Sequence, residues 1–325
     1  MERAMMLRRR AAVLALAVGL TWGCAGTRWA PRSAVSLAQE ESWLEAGEYL
    51  KVLESLPLQR IDRIPRRLRT RAYTLLGRSQ ERLGRYDQAL LTLQFAEGLF
   101  PKNLEILCDL AGILHRVGLD DRARPYYLRA LKIHPNNAVS NVGVAEIYQK
   151  QGLLAKAQLH FEKAMLEEGW GRDAGLLRSY SEVLAERGDL AGAMKAIHSA
   201  MATRSTAEDR IVLARIQRRL GAGEDGYGQL DLAVVEAPER QDFRLQKSLW
   251  LLEDGRDEEA LAVVAPVLAQ DPSDGVGLWV RGSVFLRRGD IARARADFAA
   301  GAESHRDLFA AAVCRSMLEQ LTSRP

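Results

Sequence analysis

The sequence predicts an all-α protein built from stacked pairs of short helices. The clearest pair covers residues 70–103, where apolar residues recur at the 3.6-residue period of one helix face on both sides of Gly84. Glycine accepts the positive φ found just past a helix C-terminus, so Gly84 is expected to end the first helix, and Pro101 to end the second. Neither helix is long enough to be stable alone in water. The pair must therefore stack on further copies of itself.

Equivalent glycines and small residues recur along the chain and define those copies. The glycines, spaced 33 to 37 residues apart, are Gly47, Gly84, Gly118, Gly152, Gly188, Gly221, Gly255 and Gly289. Five residues after seven of them stand Ala89, Ala123, Ala157, Ala193, Gly226, Ala260 and Ala294. A small side chain there lets the two helices of a pair approach closely, whereas a larger one would overpack the contact by ~1–3 kcal/mol. The series predicts eight helix pairs.

This punctuation, which recurs with a period of about 34 residues, resembles the tetratricopeptide repeat. The resemblance covers residues 33–308 and implies a right-handed superhelical solenoid of about eight helix pairs plus a C-terminal capping helix. The implied repeats are 33–69, 70–103, 104–137, 138–173, 174–206, 207–240, 241–274 and 275–308, followed by the capping helix and tail at 309–325. In the first repeat Glu40, Val52 and Gln59 replace the small residues, which is typical of an end-capping repeat.

The start of the chain, residues 1–23, resembles a secretory signal peptide. Four arginines precede the apolar run at residues 11–20, which is too short to span a bilayer as a stable helix. Cys24 after Gly23 resembles a bacterial lipoprotein processing site, which implies a lipidated Cys24 and a tether at residues 24–32. Ala25 resembles the second residue of lipoproteins that are sorted to the outer membrane and face the periplasm. The alternatives are ordinary cleavage near Ala25 and an uncleaved membrane anchor.

The charge composition argues against a nucleic-acid-binding protein. The chain has 46 Lys and Arg against 42 Asp and Glu, a formal net charge of +4, and the segment 1–23 alone holds four arginines and one glutamate. The remaining chain is therefore nearly neutral, whereas nucleic-acid-binding domains carry a basic face. Cys108 and Cys314 lie about six repeats apart, so no disulfide is expected between them. Both cysteines are predicted to be small buried side chains.

The sequence contains no convincing motif for catalysis, a cofactor or a metal. Residues 221–226 match the dinucleotide-binding pattern GxGxxG, which requires a preceding strand. A helix is predicted before these glycines instead, and they fall on the turn and the small-residue position of the sixth repeat. The five histidines are scattered over different repeats without metal-ligand spacing. We therefore expect a protein that is not an enzyme and needs no cofactor.

In the family that the sequence resembles, the first helices of successive repeats line a concave groove that binds a segment of a partner protein. The resemblance implies basic groove residues at Arg71, Arg78, Arg82, Arg116, Lys150, Arg215 and Arg219. In the seventh and eighth repeats it implies an apolar groove that includes Leu245, Leu249 and Trp279. An exposed tryptophan among leucines is typical of a binding hot spot. Alternatively, the final helix covers Trp279, and the arginines form only a solvated face.

These features together predict a non-enzymatic scaffold that is anchored to a membrane through Cys24. It would hold an envelope protein in its groove and support the assembly or localisation of a cell-envelope complex. Lipoproteins built in this way resemble the pilotin-like factors of pili and secretion systems and the scaffolds of peptidoglycan enzymes, at the level of architecture only. The alternative is a soluble periplasmic or cytoplasmic adaptor without a lipid anchor.

Overall fold

The computed structural model describes residues 36–305 and 307–322 of the chain. This part contains 18 α-helices and no strand, which confirms the all-α fold class. None of the helices in it is both long and apolar enough to cross a membrane. The predicted signal peptide at residues 1–23 and the tether at residues 24–32, with Cys24, lie outside the described residues.

The chain divides into two compact units, residues 1–171 and 172–325. The helices described in unit 1 are α1 (Ala38–Glu45), α2 (Tyr49–Ser55), α3 (Leu58–Ile61), α4 (Arg66–Arg82), α5 (Tyr86–Leu99), α6 (Leu104–Arg116), α7 (Asp120–Ile133), α8 (Ala138–Lys150) and α9 (Leu154–Ala164). The helices described in unit 2 are α10 (Ala174–Arg187), α11 (Leu190–Thr203), α12 (Ala207–Arg219), α13 (Gly223–Glu236), α14 (Gln241–Glu253), α15 (Asp257–Gln270), α16 (Gly275–Arg287), α17 (Ile291–Ala302) and α18 (Leu308–Thr322).

Consecutive helices pack against each other as pairs within each unit. The pairs are α1–α2, α4–α5, α6–α7, α8–α9, α10–α11, α12–α13, α14–α15 and α16–α17. The short α3 belongs to no pair, and α18 packs on α17 and α16 as the last helix. Helix α4 begins at Arg66, ahead of the repeat boundary predicted at residue 70, because Pro65 precedes it with an extended backbone that suits a helix start.

The glycines predicted to end the first helices have the expected backbone. All eight have a positive φ, between 71° and 91°. At Gly188, where φ is 91°, the amide donates to the carbonyl of Ala185, and the next amide, of Asp189, donates to the carbonyl of Leu184. These bonds close the last turn of α10. The positive φ at this position would strain any residue other than glycine. The prediction that these glycines adopt a positive φ just past the first helices is confirmed.

The predicted small residues lie in the interior of the helix pairs. The six alanines of the series are fully buried, and Gly226 is buried as well. A Cβ atom added at Gly226 would lie 3.0 Å from the carbonyl oxygen of Ala214 on the paired helix. The helix backbones are therefore as close as the small-residue pattern predicted.

The first helix pair departs from the pattern because a buried carboxylate replaces the usual small residue. Glu40 in α1 is only 3% exposed. Its Oε1 atom accepts hydrogen bonds from the hydroxyl of Ser55, at 2.5 Å, and from Arg60, at 3.3 Å. Arg60 lies in α3, so the extra helix brings in the cation that compensates Glu40.

Both cysteines of the described residues are buried and unpaired. Cys108 lies in unit 1 on α6, and its thiol lies 3.2 Å from the hydroxyl of Ser140. Cys314 lies in unit 2 on α18, so close to Gly301 that a Cβ there would be 2.7 Å from its sulfur. Burial raises the pKa of each thiol to about 11, so neither is a reactive thiolate at neutral pH.

Successive pairs of unit 1 also approach closely, at Tyr127 of α7. This tyrosine is 3% exposed, and a Cβ atom added at Gly143 of α8 would lie 2.2 Å from its ring carbon Cζ. Gly112 of α6 faces the same tyrosine with more space, because its Cβ would lie 3.9 Å from the hydroxyl oxygen. An added methyl group therefore has space at Gly112, whereas at Gly143 it would clash with the tyrosine ring.

We expect Gly143→Ala to destabilise the fold by ~1–3 kcal/mol, because the added methyl group must displace a closely packed tyrosine. Gly112→Ala is the matched control, and alanine favours a helix over glycine by about 0.5–1 kcal/mol, so this variant should be neutral or stabilised. Urea midpoints followed by circular dichroism measure both. Equal midpoints for the two variants would contradict the close packing at Gly143.

Candidate protein-binding surface

The predicted groove residues of unit 1 lie on the first helices α4, α6 and α8, and most of their charges are paired within the chain. Arg71 binds Glu41 and Glu105, each at 2.8 Å. Arg78 lies 3.0 Å from Glu105 and 2.9 Å from Asp109. Equivalent positions of neighbouring repeats lie side by side, so each arginine reaches a carboxylate about one repeat away.

The same arrangement continues along unit 1. Arg116 lies 3.0 Å from Glu81, and Lys150 lies 3.2 Å from Asp120. Arg82 is the exception, since it is exposed and has no ion pair among the described residues. Of the five cations predicted for this part of the groove, four are therefore already engaged by carboxylates of the chain itself.

His115 on α6 is held between two carboxylates. Its Nδ1 atom lies 2.5 Å from Asp120 on α7, and its Nε2 atom lies 3.2 Å from Glu146 on α8. The hydrogen bond with Glu146, followed by that with Asp120, raises the pKa of the imidazole against the opposing effect of burial. The imidazolium form can donate to both carboxylates at once, so His115 links three helices.

Asp109 is a buried carboxylate that depends on Arg78. The Nε and Nη2 atoms of Arg78 donate to its Oδ1 atom at 3.1 and 3.0 Å, while its buried Oδ2 atom lies 2.9 Å from Nε without a hydrogen bond of its own. Burial raises the pKa of Asp109 to about 7, Arg78 opposes this rise, and Glu105 and Glu81 add to it. Arg78 thus compensates a buried acid, a role that the sequence did not reveal because Asp109 is not one of the predicted groove positions.

The two predicted cations of unit 2 also have partners within that unit. Arg215 on α12 lies 3.3 Å from Glu182 on α10. Arg219 donates a hydrogen bond to the carbonyl oxygen of Ala185, at the end of α10. Both side chains therefore tie α12 to the preceding repeat.

A charged cleft of about 290 Å³ lies between α10, α12 and α14. Its floor is apolar and consists of Ile211, Val212 and Phe243. Charges of both signs surround this floor, from Arg178, Glu182, Glu208, Arg215, Arg240 and Asp242. Since these charges pair with one another or with neighbours, the cleft has no dominant sign.

The apolar groove residues of unit 2 lie on α14 and α16. Leu245 and Leu249 are partly buried and pack against the core of the unit, so they form a wall more than a protruding anchor. Trp279 is partly buried among side chains of the final helix α18. Its ring meets Phe309 edge to face, with centroids 6.4 Å apart and planes at 74°. The final helix therefore covers part of Trp279, as one of the two sequence interpretations expected.

The rest of Trp279 lines a second cleft, which we call the C-terminal cleft. It has a volume of about 310 Å³ and is formed by Leu252, Glu253, Trp279, Ser283, Leu286, Arg287 and Met317. Met317 comes from α18, which sequence reasoning treated only as a cap. The aromatic–aliphatic composition matches sites that take a large side chain or a small ligand.

The glycine-rich stretch at residues 221–226 is part of the repeat frame. Gly221 lies in the turn with a φ of 82°, and helix α13 starts at Gly223. Among the residues that the structure describes, no group of three or more His, Cys, Asp or Glu side chains is placed to hold a metal ion.

Comparisons with known proteins agree with this architecture of helical hairpins. Residues 74–138 match the family model described as the tetratricopeptide repeat. The chain is 26% identical over 195 residues to a TPR repeat-containing protein of Methanocaldococcus jannaschii, which covers 56% of this chain and 34% of that protein. It thus spans about a third of the length of this relative. Residues 74–138 therefore contain tetratricopeptide repeats.

Two solved structures share the fold at low sequence identity. A tetratricopeptide repeat protein from Parabacteroides merdae gives a TM-score of 0.63 at 17% identity, over 78% of this chain and 99% of that one. PilW, described as a widely conserved type IV pilus biogenesis factor, gives a TM-score of 0.58 at 20% identity, over 62% of this chain and 94% of that one. At these identities the likeness shows the fold.

We expect Arg78→Ala to destabilise the fold by about 1 kcal/mol at pH 6 and about 3 kcal/mol at pH 8.5, because it leaves a buried carboxylate unpaired. The folded-state pKa of Asp109 is raised, so its carboxyl is protonated below about 7 and the loss of Arg78 matters less there. Without Arg78 this pKa rises further, and the gap between variant and wild type opens as the pH increases.

Arg82→Ala is the matched control for this experiment. Arg82 is exposed and lies at the end of the same helix, so its loss should change stability by less than ~0.5 kcal/mol at either pH. Urea midpoints at the two pH values give both results. A pH-independent effect of Arg78→Ala would show that Asp109 does not depend on this arginine.

Proposed function

We propose that the protein is a non-enzymatic scaffold that binds a segment of a partner protein on its first-helix face, by which we mean the surface that the first helices of the pairs form within each unit. The observation that carries this proposal is the C-terminal cleft, where Trp279 remains partly accessible beside Leu286 and Met317. Large aromatic side chains in apolar pockets contribute disproportionately to protein binding. The cations of unit 1 offer less, because breaking their internal ion pairs offsets what a ligand would gain.

We further propose that the scaffold is held on a membrane of the bacterial envelope through lipidated Cys24 and faces the periplasm. The basic start, the short apolar run and the Gly23-Cys24 junction support this location. Several acyl chains on one cysteine would hold the protein stably on a bilayer. An outer-membrane position is favoured by Ala25, the residue after the cysteine.

The process served is the assembly or localisation of an envelope complex, such as a pilus, a secretion system or a group of peptidoglycan enzymes. The support is a likeness of fold to PilW, which is described as a pilus biogenesis factor. Fold alone does not transfer function, so the partner must come from experiment. A soluble adaptor without a lipid anchor is the outcome if Cys24 is not modified.

Cys24→Ser should abolish metabolic labelling with a fatty-acid analogue and move the protein from the membrane fraction to the soluble fraction. Cys314→Ser, which changes a buried thiol of the helical body, is the control and should keep both properties. Far-ultraviolet circular dichroism should be unchanged in the Cys24 variant. A Cys24→Ser protein that still sediments with membranes would contradict the lipid anchor.

Trp279→Ala should weaken binding of an envelope partner by about 2 kcal/mol or more, roughly 30-fold in Kd. Partners are first isolated from detergent-solubilised envelope with the wild-type chain and then titrated individually. Trp170→Ala, a partly exposed tryptophan outside the first helices, is the control and should bind normally. A partner that binds Trp279→Ala as tightly as wild type would place binding outside the C-terminal cleft.

A further inference from the structure

The C-terminal cleft has an apolar interior formed by three helices of unit 2. Leu252 comes from α14, Trp279 and Leu286 come from α16, and Met317 comes from α18. A volume of about 310 Å³ lies at the lower end of the range for ligand sites. The space suits one large apolar side chain with part of its backbone better than a whole folded surface.

Two polar side chains of the cleft, Arg287 and Ser283, differ in whether they already form hydrogen bonds within the chain. The Nη1 atom of Arg287 donates to the carbonyl oxygen of Leu252 and to Asp257, each at 2.7 Å, so this cation is held by the chain. The hydroxyl of Ser283 has no hydrogen-bond partner among the described residues. The hydroxyl of Ser283 is therefore free to form a hydrogen bond with a ligand, whereas the guanidinium of Arg287 is already bound within the chain.

Glu253, which lines the cleft, belongs to a small cluster of charged side chains. Glu253 and Asp254 share the guanidinium of Arg218, which lies 3.0 Å from the first and 2.7 Å from the second. Arg218 is further held over the ring of Trp250, at 4.9 Å, and Asp254 also accepts a hydrogen bond from Tyr227. One cation thus serves two carboxylates.

Glu253 is the carboxylate of this cluster that faces a ligand. It lines the cleft, its side chain is 65% exposed, and only its Oε2 atom is engaged. The next cation along the chain, Arg256, pairs with Glu224 and Glu259 and forms no ion pair with Glu253 among the described residues. A basic group on the ligand would balance the charge at this edge.

Resting on the proposed function, we infer that the C-terminal cleft binds an amphipathic helical segment of the partner that carries a large apolar side chain and a lysine or arginine one turn away. The apolar side chain packs against Trp279, Leu286 and Met317, and the basic group pairs with Glu253. Residues three or four positions apart on a helix lie about 5–6 Å from each other, which suits a cleft with its acidic residue on the edge. An acidic segment would instead be repelled by Glu253, whose cation Arg218 is shared with Asp254.

Three synthetic peptides of equal length, each long enough to form a helix in water, test this pairing with the full chain. The first is an alanine-rich helix with leucines at i and i+4 and flanking lysines, the second replaces the lysines by glutamates, and the third keeps the lysines and replaces the leucines by serines. Binding is measured by fluorescence anisotropy. The leucine–lysine peptide should bind at least tenfold more tightly than either of the others.

Two variants assign that preference to the cleft. Glu253→Lys should reverse the preference between the lysine and glutamate peptides. Trp279→Ala should weaken binding of the leucine–lysine peptide at least tenfold. Glu239→Lys, the same charge change at an exposed residue before the other end of α14, is the control and should keep the wild-type preference. Thermal unfolding of each variant verifies that the helices remain folded.

Several results would overturn the inference. Equal binding of the lysine and glutamate peptides, or a reversal in Glu239→Lys as strong as in Glu253→Lys, would remove the role of Glu253. Equal binding of the serine peptide would remove the apolar anchor. Self-association in sedimentation velocity that Trp279→Ala abolishes would identify a second copy of the chain as the occupant.

The peptide and envelope experiments separate the two levels of the proposal. If the peptides show no preference while an envelope partner still loses affinity for Trp279→Ala, the scaffold function stands and the basic amphipathic segment is wrong. If Trp279→Ala retains both the peptide and the envelope partner, the cleft is not a binding site at all.

Discussion

The structure depends first on the close approach of the two helices in each pair. A glycine with positive φ, such as Gly188, reverses the chain within a few residues, and a small residue on the facing helix allows the backbones to meet. Ala123 and Ala157 have no atoms beyond Cβ to separate their helices. This spacing brings the next pair within side-chain reach, so residues one repeat apart in sequence, such as Arg71 and Glu105, become neighbours in space.

Features that follow from the type of a single residue, such as a turn or a close helix contact, could be predicted from the sequence. Features that depend on the direction of a side chain, such as ion pairs between repeats, could not. The turn glycines and buried alanines belong to the first class. Arg78 belongs to the second, because its partner Asp109 lies on the next first helix at a position that the groove pattern does not include. Met317 was not predicted as a cleft residue because α18 lies outside the repeat pattern. The extra α3 was not predicted because the contact of Arg60 with Glu40 depends on side-chain direction.

The pairing of charges explains why the cationic and apolar parts of the first-helix face differ in what they offer a partner. An exposed ion pair contributes only ~0–1 kcal/mol to stability, but a ligand that recruits Arg71 or Arg116 must compete with the carboxylates already beside them. The apolar side chains of the C-terminal cleft face no such competition. Under the proposed function, most of the binding energy of a partner should therefore come from α14, α16 and α18.

The final helix has two roles that meet at Trp279. Its Phe309 covers one part of the tryptophan ring, while its Met317 forms a wall of the cleft that the same tryptophan lines. A ligand in the cleft contacts a surface that exists only while α18 is docked. By mass action, a ligand that binds the docked form and not the undocked one must stabilise the docked form. Under the proposed function, docking of α18 and binding of the partner therefore stabilise each other. This would make α18 a part of the binding site as well as a cap.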